Sequence, residues 1–151
     1  MIDQEASIDY GVHSNRFDAS STGLQEGLQH LHDHGYVVFK EVAPTRDVDD
    51  MTTLFWEYLE QFGVQKDEPA TWGKIPSNEY GIILSYGIGQ SKFMWYLRSI
   101  PGIKKIFEAI WKTKDLIVDF GGCVVFRNVD CSQSFRTAEK WFHSKFVCNG
   151  F

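Results

Sequence analysis

The stretch that most restricts this chain covers residues 116–127, LIVDFGGCVVFR, because the hydrophobic period changes there. Upstream, apolar residues recur every three or four positions; here they run on to either side of Gly121 and Gly122, interrupted by Asp119. A short continuous apolar run bounded by turn residues reads as a buried strand. The pattern predicts a strand from Leu116, a break at the two glycines and a second strand over residues 123–127. After a polar loop (128–139), EKWFHSK predicts a third strand with His143 at its tip. Helices first and strands last, without regular alternation, predict an α+β domain in which helices cover one face of a mostly antiparallel sheet.

The upstream half supplies the helices. Residues 1–21 are polar and read as a flexible tail, and one domain is expected over residues 22–151. Thr22 and Gln25 are spaced as a capping box for a helix carrying Leu24, Leu28 and Leu31 on one face, and Gly35 is placed to end it. Residues 36–39, YVVF, predict a short strand. Thr45 or Asp47 caps a second helix, and Val48, Met51, Leu54, Phe55, Tyr58, Leu59 and Phe62 form its apolar stripe before Gly63. Two prolines mark residues 64–78 as a loop, in which Trp72 is expected as a packing anchor. Ser91 is expected to cap a short helix through Arg98. Pro101 opens another, with Ile103, Ile106, Phe107, Ile110 and Trp111 at helical spacing.

Composition narrows the function classes. Net charge is −5 and no basic stripe is present, which argues against a nucleic-acid partner. Three cysteines without tight spacing read as reduced thiols. The acidic N-terminus lacks the layout of a secretory signal, and no apolar run reaches the ~20 residues a membrane helix needs. A cytoplasmic protein without membrane contact is the expectation. Gly87-Ile88-Gly89 lacks the strand–GxGxxG–helix context of a dinucleotide loop. Of the alternate histidines 30, 32 and 34, only 30 and 34 share a helix face, and imidazoles there suit the negative C-terminal end of the dipole.

Longer blocks carry a resemblance. Residues 27–42 (GLQHLHDHGYVVFKEV), residues 84–128 and the Trp141-Phe142-His143 segment together resemble the N-terminal portion of the phytanoyl-CoA dioxygenase-like family. The resemblance implies the start of a double-stranded β-helix (jelly-roll) and a chemistry using Fe(II) and 2-oxoglutarate to hydroxylate a small-molecule substrate. It implies His143 as a metal ligand, and it places Cys123 and Arg127, alternating on one strand face, near the co-substrate pocket; read from the residues alone, Cys123 is a core residue and Arg127 an edge charge. Where the family has its metal-binding aspartate, two positions after the histidine, this chain has Lys145. An ammonium about 6–7 Å along the strand repels a divalent cation. Residues 144–151 contain neither histidine nor arginine. The expectation is therefore a truncated or divergent member, catalytically incomplete, with no catalytic residue assignable. The alternative is a non-catalytic module that self-associates through open strand edges.

Overall fold

A computed structural model describes residues 15–136 of the chain, which divides into two compact units. The first comprises Met1–Pro44 with Pro101–Asp115, the second Thr45–Ile100 with Leu116–Phe151.

In the first unit the order is β1 (Arg16–Phe17), α1 (Ser21–His34), β2 (Val38–Phe39) and α4 (Pro101–Trp111). β1 and β2 pair in parallel, with Arg16 opposite Val38 and Phe17 opposite Phe39. α1 is the crossover between them, because parallel neighbours need a long connection. Its cap falls two residues before the predicted one, Thr22. Ser20 is the cap: its Oγ accepts from the Gly23 N–H at 3.1 Å, while its own N–H donates to Asp18 Oδ1 at 2.8 Å. Asp18 fixes Ser20 in the extended conformation a cap requires, so the helix closes around Ser20 and Thr22 falls inside its first turn. Gly35 ends α1 at φ +78°, its N–H donating to Leu31 O at 2.8 Å, as the sequence predicts. Gly27 lies under Phe39; a Cβ there would stand 2.6 Å from the ring. In α4 only Ile106 is fully buried, while Phe107 and Trp111 are half exposed, so its covered stripe is narrower than the spacing suggests.

The second unit is built on α2 (Thr45–Glu60) and α3 (Lys92–Ser99). Its core is Leu59, Val64, Ile75, Ile83, Ile88 and Phe93, with Met51, Leu54, Phe55, Trp56, Tyr58 and Phe62 packed against it. That reproduces the apolar stripe read for the second helix except for Val48, which is 41% exposed, and it adds Trp56. Ser91 caps α3 as predicted, accepting from the Met94 N–H at 3.2 Å. Trp72 sits in a 3-10 turn (Pro69–Lys74) and is a packing anchor: its ring lies 5.8 Å from Trp56 and its N–H donates to Gln65 O at 3.0 Å.

Two further strands complete this unit, β3 (Ile82–Ile83) and β4 (Cys123–Val124), paired antiparallel. The molecule is thus α+β, but its described strands are two residues long and form two separate two-stranded sheets. The predicted strand at residues 116–120 is not formed; the chain there is irregular and Ile117 is 97% exposed. A run of apolar residues becomes a strand only beside a partner edge; here Arg98 donates to the Asp119 carbonyl instead. The second predicted strand is shortened to Cys123–Val124, although burial still alternates from Cys123 to Arg127. The third, with His143, lies outside the described residues.

Candidate functional site

The second unit brings three features of the sequence together around β4. Cys123 is half-buried on β4, its thiol donating weakly to Val124 O at 3.8 Å. Burial pushes the Cys123 thiol above its ordinary pKa, which keeps it protonated and a poor nucleophile. Tyr58 of α2 belongs to the same region: its hydroxyl donates to Tyr86 O at 3.3 Å. Burial pushes its phenol up first, and the neighbouring Cys123 and Tyr86 add to the shift. Tyr86 adopts φ +58° and Gly87 φ +71°, so the turn from β3 toward α3 puts a bulky residue in the left-handed region. Tyr58 and the edge of Phe62, 5.2 Å from the Tyr86 ring, hold it there.

Arg127, expected beside Cys123 near a co-substrate, has a different neighbour. Its guanidinium stands 4.5 Å from the centroid of the Phe135 ring, a cation–π contact with a buried aromatic. Cys123 faces the α2 side of the core and Arg127 faces Phe135.

The residue that sequence reasoning passed over is Arg98, at the end of α3. Its Nη1 donates to Gly89 O at 2.7 Å and its Nη2 to Asp119 O at 2.8 Å. The guanidinium is flanked by Trp95 at 5.5 Å and Phe120 at 5.6 Å, and Trp95 in turn donates its N–H to Gln90 Oε1 at 3.0 Å. One planar fork thus ties the turn before α3 to the segment leading into β4. The only local signal for it was Trp95 three positions earlier on the same helix face.

In the first unit, His30 stacks on His34 at 4.1 Å and meets Tyr36 edge-on at 5.1 Å and Phe17 at 5.2 Å. Its Nε2 is buried without a hydrogen-bond partner. His34 Nδ1 lies 3.2 Å from His30 O, in the last turn of α1, where an imidazole suits the helix dipole. Among the described residues no group of three or more His, Cys, Asp or Glu side chains is placed to hold a metal ion. His143, the ligand expected from the sequence, lies outside them. Among the described residues no helix is long and apolar enough to cross a membrane.

Comparison with known proteins adds one relative. The chain is similar to "Ava biosynthesis cluster protein O" of Aspergillus versicolor, 24% identical over 96 residues that make up 61% of this chain. Those residues span 31% of the length of that protein. No protein-family model matches the chain. No solved structure matches it either.

Proposed function

We propose that this chain carries part of a phytanoyl-CoA dioxygenase-like domain, of the Fe(II)/2-oxoglutarate-dependent superfamily whose reaction is hydroxylation of a small organic substrate. The observation that carries this reading is the long block of residues 84–128 together with Trp141-Phe142-His143, which resemble the N-terminal portion of the family. The relative's name, which places that protein in a biosynthesis cluster, supports a small molecule as substrate. His143 is the metal ligand this reading assigns. Lys145 stands where its carboxylate partner belongs, and the described residues offer no replacement set. An isolated imidazole beside an ammonium does not retain a divalent cation against water. The reading therefore includes no turnover by this chain alone. Incubation with Fe(II), ascorbate and 2-oxoglutarate is expected to yield no succinate above a protein-free control. Succinate formation that disappears in His143→Ala would overturn the inactive assignment.

A second reading, an interaction module that pairs through strand edges, is favoured by the surface around β3 and β4. The sheet there has two strands among the described residues, and Leu84, Tyr86, Val124 and Phe126 are exposed beside it. Unpaired edges with apolar neighbours add strands from other chains. Gel filtration over a range of concentrations tests it: an elution volume that shifts with concentration supports pairing, and a constant monomer argues against it.

A further inference from the structure

The β3–β4 ladder holds only two residue pairs, Ile82 with Val124 and Ile83 with Cys123. Side chains alternate along a strand, so a slip of one residue would turn Cys123 to solvent and Val124 inward. Two pairs and one further bond, Val125 N–H to Gly81 O at 2.8 Å, are a weak specification of register. Side-chain burial adds little upstream, since Ile117 and Phe120 are exposed.

What does specify it is backbone contact. A Cβ on Gly89 would collide with Phe120 O, one on Gly122 with Ile83 O, and one on Gly81 with Val125 O. At three glycines, then, main chain lies directly on main chain. Arg98 sits at the upstream end of this docked segment, bonded at once to Gly89 O and Asp119 O. We propose that Arg98 is a register lock: by tying the Gly89 carbonyl to that of Asp119, four residues before β4, it sets which face of β4 carries Cys123 and which carries Val124. Trp95 and Phe120 flank the guanidinium and meet each other edge-on at 5.8 Å. The planar fork presents Nη1 and Nη2 to the two carbonyls in a fixed geometry; an ammonium, a compact charge on a flexible stem, does not hold that geometry or stack between the rings. This role is independent of the dioxygenase reading and stands whether or not the chain binds a metal.

The thiol of Cys123 reports the register directly. In a Cys131→Ser/Cys148→Ser background, N-ethylmaleimide labelling of the full chain is followed by mass spectrometry well below the unfolding midpoint. Arg98→Ala and Arg98→Lys are each expected to raise the Cys123 labelling rate by about tenfold, because the thiol is released from its half-buried face. Val64→Ala, a core truncation that lowers stability without touching the lock, serves as the control and is expected to change the rate by less than about twofold. Unchanged labelling in both Arg98 variants would overturn the proposal. So would an equal rise in Val64→Ala, since Cys123 exposure would then follow general opening.

Discussion

Two regions of the second unit are held in opposite ways. The α2–α3 core is held by side chains: Leu59, Val64 and Ile83 have no exposed surface, and Phe55 and Phe93 rings meet at 5.1 Å. The segment over residues 116–126 is held by its backbone: glycines give it room, Arg98 binds its carbonyl, and its large apolar side chains largely face out. Side-chain burial distributes stability over many contacts and tolerates loss of any one hydrogen bond. Backbone docking concentrates it at a few atoms, so the same chain contains a robust region and one that a single change can detach.

The largest expected effect lies on the robust side. Leu59→Ala removes a fully buried side chain and is expected to cost about 2–5 kcal/mol in urea denaturation. A cost below about 1 kcal/mol would mean that the core relaxes freely and that the contrast fails. Gly89→Ala forces a methyl against Phe120 O and is expected to cost about 1–3 kcal/mol. Hydrogen exchange should place that cost locally: amides of residues 119–125 lose protection and those of residues 51–60 keep it. Equal loss in both would show the two regions to be one cooperative unit. Ser91→Ala, which removes the cap of α3, is expected to lower stability by about 1 kcal/mol in the same denaturation experiment.

The smallest effect concerns the first unit and its cap. Asp18 is held below its ordinary pKa of 3.8, chiefly by the Ser20 side-chain hydrogen bond and then by the Ser20 backbone N–H. A carboxyl with a lowered folded pKa stabilises the fold above its unfolded value, and that contribution is lost as pH falls through the folded value. Thermal unfolding between about pH 2 and pH 5 should therefore fall less steeply in Asp18→Asn than in the unaltered chain.

These contrasts also explain how far the sequence could be read. The helices were legible because their signals are local: Ser91 lies three residues from the amide it caps, Gly35 four from the carbonyl its N–H reaches, and the α2 stripe repeats within its own helix. The cap of α1 was misplaced because Asp18, which fixes Ser20, is a partner outside the helix pattern. Of the strands, β2 and β4 were legible though shorter than read, whereas β1 and β3 were not read and residues 116–120 form none. LIVDF has strand composition, yet whether it pairs depends on an edge elsewhere in the chain, and here the segment meets Arg98 rather than a strand. Arg98 itself was illegible for the same reason: its two acceptors lie 9 and 21 residues away. Cys123 and Arg127 were placed on one side of the second strand, and their burial alternates accordingly, but their different neighbours, Tyr58 and Phe135, arise from packing that no spacing encodes. Trp72 was read correctly because a large aromatic in a proline-bounded loop has few ways to avoid water.

The crossover in the first unit carries a consequence for how this chain can vary. α1 is a rigid spacer of 14 residues, about 21 Å long, joined to its two strands by three-residue links. Gly27, near its middle, is the position where Phe39 and Phe17 press against the helix. One residue inserted between Ser21 and Gly27 turns everything beyond it by about 100°, which swings Gly27 away and brings a side chain under Phe39. The length of this helix is therefore quantised: whole-turn changes of three or four residues preserve the glycine's heading, and single insertions or deletions do not.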